Sequence, residues 1–256
     1  SFGRLQQSAA LAHLGAQAVL YSPHEMRVES RTAIGLLARW LAEAHGVVFR
    51  FGEAVLEVTT PHVRTSRAVL QADRVVVCTN TELHGLFAER LAPHALRLCQ
   101  LQMLRVMPEP GFRLPGSVMA DLSLVRYHGY SQLPEAAPLL EQIQREEGES
   151  LAHGIHLIVV QSADGSLVVG DSHHYGAAPE PFASEHVDTL ILRHLRETLR
   201  LREATVTARW VGTYPSSPDT DCLIDAPDDA TRVVLVTSGT GASTAFGIAE
   251  EVFAGW

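Results

Sequence analysis

The stretch that decides the fold is RVVLVTSGTGASTAFGIAEEVF, which runs from Arg232 to Phe253. An apolar run at residues 233–236 stops at two glycines, Gly239 and Gly241, and a helical pattern begins near Ala242. A strand, a glycine turn and a helix in this order indicate an α/β fold. The first helical turn has free N–H groups, which suit a phosphate or an electron-rich ring. The turn therefore either binds such a ligand or only connects two layers.

The N-terminal part of the chain continues the α/β pattern. Ser30 is a plausible N-cap, Gly46 is placed just past the end of the helix, and VVFRF (residues 47–51) is predicted to begin a strand. RVVVCT (residues 74–79) is predicted as a strand buried on both faces. The apolar positions of the helix share one stripe: Ile34, Leu37, Ala38 and Leu41.

The middle of the chain has longer strands. LCQLQMLRVMP, GIHLIVVQSADGSLVVGDSHHYG and ATVTARWVGTYP predict a sheet with one wetter face. Two helices interrupt it, AAPLLEQIQREEGESLAHG and SEHVDTLILRHLRETL, with Ser184 as the cap of the second. The sequence therefore predicts an α/β fold with an α+β insert. The predicted domain boundaries give residues 1–87, 88–212 and 213–256, with the first and last forming one domain.

Composition excludes several classes of function. The 256 residues carry a formal net charge of −9, which argues against a nucleic-acid partner. All 20 cations are arginine, so the chain has no lysine for a Walker motif or a Schiff base. No apolar run is long enough for a membrane span, and no secretory signal is visible. Three widely spaced cysteines predict a cytoplasmic protein with neither disulfides nor zinc.

Polar residues near the predicted strands are candidates for a substrate site. GDSHHYG (residues 170–176) is either a surface loop or a loop facing a substrate, in which His173 could accept a proton. No helical spacing of metal ligands accompanies it, and adjacent histidines on an extended chain diverge, so no metal site is predicted. Arg105 and Arg126, in or beside apolar strands, bind either an internal carboxylate or an anionic substrate.

The same segments, taken in order, resemble the superfamily of D-amino-acid oxidase, glycine oxidase and sarcosine oxidase, which are FAD-dependent amine oxidoreductases. The segments are SPHEMRVESRTAIGLLARWLAEAHGVVF, CQLQMLRV, ADLSLVRY, GIHLIVVQSADGSLVVGDSHHYG, RWVGTYPSSPD and TSGTGASTAFGIAEE. LQMLR and GDSHHY resemble the branch linked with phosphonate catabolism. The resemblance implies a FAD-binding Rossmann-like domain, an antiparallel substrate sheet, and oxidation of a C–N bond by hydride transfer to flavin. An N-methylated aminoalkylphosphonate is one implied substrate.

The resemblance also implies a set of site residues. His173 and Tyr214 are the implied catalytic residues, and the substrate site comprises Gln102, Arg105, Arg126 and His173. The implied partner is a small-molecule amine, and a homo-oligomer is possible. The implied cofactor residues are Val55, Cys78, Thr79, Asn80, Gly239, Thr240, Gly241, Ala242, Ser243 and Thr244.

The sequence departs from the family pattern at three places that bear on FAD binding. The glycine-rich strand–turn–helix that binds the pyrophosphate lies upstream of Ser1 in that pattern, so we expect weak FAD binding by this chain alone. Asn80 stands where the family usually has glycine. Gly212 stands at the position of the cysteine that attaches flavin in sarcosine oxidases, so we expect non-covalent FAD. The alternative function is that of a truncated, cofactor-free ligand-binding or interaction module.

Overall fold

The computed structural model of the chain describes residues 19–24 and 26–256. The helices are α1 Ser30–His45, α2 Ala88–Leu91, α3 His128–Ser131, α4 Ala136–Glu146, α5 Gly148–Ala152, α6 Glu185–Thr198 and α7 Gly241–Ala254. The strands are β1 Val55–Thr59, β2 His62–Thr65, β3 Val69–Gln71, β4 Val75–Val77, β5 Arg97–Pro108, β6 Val118–Met119, β7 Ile158–Gln161, β8 Leu167–Gly170, β9 His174–Gly176, β10 Ala204–Ser216, β11 Cys222–Asp228 and β12 Thr231–Val236.

The predicted mixed fold with antiparallel sheets is confirmed. One sheet has the order β1-β2-β3, and a six-stranded sheet has the order β10-β5-β8-β7-β6, with β9 paired to β5. A third sheet has the order β11-β12-β4, in which β11 and β12 are antiparallel while β12 and β4 are parallel. The chain forms two compact units. The sheet unit comprises the described residues up to Leu37, Gln100–His174 and Glu180–Gly212; the turn unit comprises Ala38–Cys99, Tyr175–Pro179 and Thr213–Trp256.

The core of the sheet unit lies between its strands and α6. Leu104 and Val106 on β5 are fully buried, as are Ile191 and Leu195 on α6. α6 begins where the sequence predicts, because the Ser184 hydroxyl accepts a hydrogen bond from the backbone N–H of Val187. The cap satisfies an N–H that the helix itself cannot pair, and it fixes the apolar stripe of α6 against the sheet.

The core of the turn unit is smaller. Val77 on β4, Leu91 on α2, and Val233 and Leu235 on β12 are buried together. The strand, glycine turn and helix predicted at the C-terminus are confirmed as β12, residues 237–240 and α7. Because β4 and β12 are parallel neighbours, their carboxyl ends lie at the same edge of the sheet.

Three local predictions are wrong. Residues 47–51 were predicted to begin a strand, but they form no strand; Val48 and Phe51 are about four-fifths exposed there. Arg126 lies in a turn rather than in or beside an apolar strand, because the Ser123 carbonyl accepts the N–H groups of Arg126 and Tyr127. The helix predicted over residues 136–154 is interrupted at Glu147, whose φ of −131° is not helical.

α1 confirms the predicted helix but not the burial of its stripe. The helix ends as predicted, because Gly46 has a φ of +68°, a conformation that glycine adopts readily. None of its residues is buried, and Ile34 is three-quarters exposed. In the part of the chain that the structure describes, no helix combines the length and the apolar character needed to cross a membrane.

Candidate functional site

The glycine turn lies at the carboxyl end of β12, beside the carboxyl end of β4. Two of the predicted cofactor segments, residues 78–80 and 239–244, directly follow these two strands. The parallel register pairs Thr231 with Val75 and Val233 with Val77, so β4 ends beside Val233 while β12 continues to Val236. In α/β proteins, ligands bind outside the carboxyl ends of parallel strands. The structure therefore brings these two segments to the edge where a cofactor would be expected.

The start of α7 is a helix end without a side-chain cap. The helix begins at Gly241, and its N-cap residue Thr240 makes no side-chain capping bond. The Thr240 carbonyl accepts the N–H groups of Ser243 and Thr244. The residues from Ala242 to Thr244 are exposed, and the positive end of the helix dipole is directed outward there.

Tyr214 lies beside this turn. A Cβ atom placed on Gly239 would be 3.6 Å from the Tyr214 hydroxyl oxygen. The tyrosine is half-buried on β10, so its ring supports the turn while the hydroxyl reaches it. Of the two implied catalytic residues, Tyr214 is thus the one that the turn unit places next to the predicted cofactor segment.

The segment after β4 has two features that fit a bound polar ligand. The Thr79 hydroxyl oxygen is buried, and among the described residues it has no hydrogen-bond partner. Asn80 has a φ of +50°, in the left-handed region that asparagine tolerates better than most residues. The backbone therefore adopts at Asn80 the conformation that a glycine would allow. Val55, the remaining predicted cofactor residue, is the exposed first residue of β1.

A buried polar cluster lies in the sheet unit at the ends of β7 and β8. It consists of His156, Asp171 and His173, whose ligand atoms all lie within 4.8 Å of one another. The Nε2 atom of His156 is 3.2 Å from one oxygen of Asp171, and that of His173 is 3.8 Å from the other. The rings of the two histidines are stacked, with centroids 4.9 Å apart. We call this group the buried trio.

The backbone holds the buried trio in place. His156 and Asp171 exchange two backbone hydrogen bonds, each of 3.3 Å, and the His173 N–H donates to the His153 carbonyl. The Nδ1 atom of His173 is 2.9 Å from the Gly154 carbonyl, which can only accept, so Nδ1 carries the proton. Gly154 has a φ of +59°, and an added Cβ would lie 2.9 Å from the His173 Cβ. Only glycine fits there without strain.

Burial controls the electrostatics of the buried trio. It lowers the pKa of His156 to about 3 and that of His173 to about 4, with smaller contributions from the Arg126 charge. Burial also raises the pKa of Asp171 to about 7, although the Arg126 charge opposes this shift. Both imidazoles are therefore neutral near pH 7, and the pKa of the Asp171 carboxyl group lies well above its ordinary range.

The structure separates the predicted substrate residues of β5. Gln102 is buried on the face toward α6, where its amide nitrogen donates to Asp188 (2.7 Å) and to the Ser184 carbonyl (2.9 Å). Its amide oxygen accepts the Ser184 N–H at 2.8 Å. Arg105 is an odd number of residues away and so lies on the opposite face. It donates to the Ser166 hydroxyl at 2.5 Å and pairs with Asp164 at 3.6 Å.

Arg126 and His173 are brought into the same electrostatic environment, although they are far apart in sequence. The Arg126 charge acts on all three members of the buried trio. The arginine is only half-buried, so its cation also remains accessible to solvent. Of the predicted substrate residues, Gln102 and Arg105 bind protein groups, while Arg126 acts on the buried trio that contains His173.

Comparison with known proteins decides the family. The chain matches the family described as "FAD dependent oxidoreductase" over residues 4–254. The chain belongs to this family. No curated protein matches the sequence.

Solved structures share the fold of this chain at low sequence identity. L-proline dehydrogenase from P. horikoshii matches with a TM-score of 0.59 and 16% identity, covering 88% of this chain and 53% of that one. Iminodiacetate oxidase from Chelativorans sp. BNC1 matches with a TM-score of 0.54 and 15% identity, covering 90% of this chain and 53% of that one. Glycine oxidase from Geobacillus kaustophilus matches with a TM-score of 0.52 and 14% identity, covering 79% of this chain and 48% of that one. The chain thus spans about half the length of these proteins.

Two members of the buried trio were not among the predicted site residues of this FAD dependent oxidoreductase. Asp171 could have been found, because it lies two residues before His173 within GDSHHYG, and such residues share one side of an extended chain. His156 carries no such signal. It precedes an apolar strand elsewhere in the sequence, and only the antiparallel pairing of β7 with β8 places it opposite Asp171.

Proposed function

We propose that this FAD dependent oxidoreductase oxidises the C–N bond of a small amine or amino acid, with non-covalent FAD bound at the carboxyl edge of β4 and β12. The observation that carries the proposal is the convergence of two segments at that edge. One segment is residues 78–80, with the unpartnered Thr79 hydroxyl, and the other is the uncapped start of α7. Flavin bound there would supply the acceptor for a hydride from the substrate.

The chain's own groups would position and stabilise the flavin. The N–H groups at the start of α7 would face the part of the ring system that becomes electron-rich on reduction, and the helix dipole would stabilise that charge. Gly239 and Gly241 would let the backbone approach closely, and the Tyr214 hydroxyl beside Gly239 would lie near the reacting centre. Gly212 and the absence of lysine in the sequence support non-covalent attachment.

The proposed substrate is an amine with an anionic group. Iminodiacetate oxidase and glycine oxidase, two of the proteins that share the fold, are named for substrates that carry carboxylates. Arg126 is the cation proposed to bind the anion, because it is half-buried and has a planar guanidinium suited to carboxylate or phosphonate. An N-methylated aminoalkylphosphonate fits this chemistry, and LQMLR and GDSHHY support that narrower substrate class.

A pair of glycine substitutions tests the cofactor site. Gly241→Val adds a branched side chain where the flavin would approach, yet within the protein the three atoms nearest to a Cβ there belong to Val236, the closest at an ordinary 3.5 Å. We expect the dissociation constant for FAD to rise at least about tenfold, since losing one charged hydrogen bond costs about 1.5–3 kcal/mol. The measurement is quenching of flavin fluorescence during titration of the purified chain.

Gly247→Val is the matched control for that titration. Gly247 lies in the same helix, and a Cβ there has no neighbour within 4 Å among the described residues. Its FAD affinity should equal that of the unsubstituted chain. Equal affinity in all three proteins would show that the turn does not bind flavin, and no FAD binding by the unsubstituted chain would favour the cofactor-free alternative.

A further inference from the structure

We propose that His156, Asp171 and His173 bind a divalent transition-metal ion, and that zinc suits this donor set best. The proposal goes beyond the proposed function and needs neither flavin nor turnover for its test. Two imidazole nitrogens and one carboxylate oxygen are a common set of protein ligands for zinc. Three protein ligands also leave a fourth coordination position for water or a small ligand.

The separations of the donor atoms match the size of such an ion. Bonds of about 2.0–2.2 Å in a tetrahedral arrangement place neighbouring donor atoms about 3.4 Å apart. The separations of 3.2 Å (His156 Nε2 to Asp171) and 3.8 Å (His173 Nε2 to Asp171) lie on either side of this value. All the donor atoms lie within 4.8 Å of one another, so the most widely separated of them must move closer together to bind one ion.

The Nε2 atoms of both histidines lie on the side of Asp171. The Gly154 carbonyl fixes the proton of His173 on Nδ1, and its Nε2 atom is 3.8 Å from Asp171. The Nδ1 atom of His156 is 3.3 Å from the Ser123 hydroxyl, a contact that either tautomer can make, and its Nε2 atom is 3.2 Å from Asp171. Metal-binding histidines have this arrangement, in which the nitrogen away from the ion is held by a carbonyl or another polar group.

The carboxylate supplies a second, independent observation. The Oδ1 atom of Asp171 is buried and, within the described part of the chain, has no hydrogen-bond partner. It lies 3.2 Å from His156 Nε2, but the geometry is not that of a hydrogen bond. Two atoms that are close without pointing at each other can both be directed at a third position. A cation at that position would satisfy the buried oxygen.

Paired strands flank the buried trio. His156 precedes β7, Asp171 and His173 follow β8, and two backbone hydrogen bonds hold His156 opposite Asp171. The sequence predicted no metal site because helical ligand spacings were absent, but these three residues lie in segments next to two antiparallel strands. The Arg126 charge acts on the buried trio and opposes a cation, so the affinity should be lower than that of a site without an arginine.

The test is zinc binding by the full chain, freed of any affinity tag and treated with EDTA. Zinc chloride is titrated in competition with a chromogenic chelator, and cobalt(II) is added separately to record its visible absorption. We expect one equivalent of zinc to bind and tetrahedral cobalt bands to develop. His173→Gln should weaken binding at least about 100-fold, because even residues that only support metal ligands contribute about 10–100-fold.

His174→Gln is the matched control, one residue away on the other side of the chain. It should leave the zinc affinity and the cobalt spectrum unchanged. Asp171→Asn, which keeps the shape of the side chain, should weaken binding as His173→Gln does, and circular dichroism establishes that each variant is folded. Failure of the unsubstituted chain to bind one equivalent would overturn the proposal, as would loss of binding in His174→Gln with retention in His173→Gln.

Discussion

His173 and His174 are adjacent in the chain but lie in opposite surroundings. His173 is 7% exposed and belongs to the buried trio. His174 is half-buried, and its Nε2 atom is 3.1 Å from the Nδ1 atom of His153. The exposed His186 lies beside His153 and pairs with Glu149 at 2.8 Å. We call His153, His174, His186 and Glu149 the outer group.

The carboxylates of the two groups differ in solvent exposure and therefore in their electrostatic surroundings. In the outer group, both Glu149 and His186 are more than half exposed, so water screens their charges. In the buried trio, burial raises the pKa of Asp171, and one of its oxygens has no hydrogen-bond partner among the described residues. Arg126 acts on the buried trio, whereas the pKa of His174 is lowered by burial and by His153. Histidine and carboxylate side chains are thus buried beside the Arg126 charge in one group, whereas in the other the carboxylate is exposed and screened by water.

The largest predicted effect is on the backbone that supports the buried trio. Gly154→Ala should lower the free energy of unfolding by about 2–4 kcal/mol, because it combines a strained φ with a Cβ 3.0 Å from the His173 carbonyl oxygen. Gly165→Ala is the control, since its φ is +85° but no described atom lies within 4 Å of the added Cβ. Gly165→Ala should lower the free energy of unfolding by about 1 kcal/mol. Urea unfolding measures both, and equal costs would show that the contact with His173 is unimportant.

A smaller effect is predicted for the cation that acts on the buried trio. Arg126→Met should raise the KM for a carboxylate- or phosphonate-bearing amine on the order of 10–100-fold, because a charged hydrogen bond is lost. The KM for a neutral amine should change little. Arg145→Met, on the exposed surface of α4, should alter neither value. Steady-state kinetics of the FAD-loaded protein provide the measurement, and an equal loss for both substrates would show that Arg126 is structural.

The smallest predicted effects are on stability, for substitutions of the two carboxylates, Asp171 of the buried trio and Glu149 of the outer group. In the metal-free chain, Asp171→Asn should raise the free energy of unfolding by about 1 kcal/mol, because it replaces a poorly paired buried carboxyl group with an amide that can donate to a histidine. Glu149→Gln should change it by less than about 0.5 kcal/mol, as expected for an exposed pair. Destabilisation by Asp171→Asn in chemical unfolding would show that the carboxylate is well paired without a metal.

Local signals predicted much of the fold. The Ser184 cap and the Gly46 helix end are determined by neighbouring residues, and both are confirmed. The glycine turn after β12 was predicted for the same reason. One prediction that needed a distant partner failed. Residues 47–51 have the composition of a strand, but a strand also needs a neighbour for its hydrogen bonds, and the pattern does not contain that information.

In the candidate sites too, local sequence signals predicted contacts between neighbouring residues but not contacts between distant ones. The alternation of an extended chain predicted that His173 and His174 diverge, and it could have paired Asp171 with His173. It could not supply His156, which reaches Asp171 through the pairing of two strands. Nor could it show that Gln102 binds the start of α6, since that contact joins residues more than 80 positions apart.

The most direct test of the central claim is anaerobic reduction of the FAD-loaded protein. The protein is mixed without oxygen with a panel of carboxylate- and phosphonate-bearing amines, and the blue absorption band of oxidised flavin is followed. The proposed function predicts that at least one anionic amine bleaches the band, and that Gly241→Val, which should retain little FAD, shows no comparable bleaching. A protein that binds FAD but stays oxidised with every amine in the panel would contradict the proposed oxidation of a C–N bond.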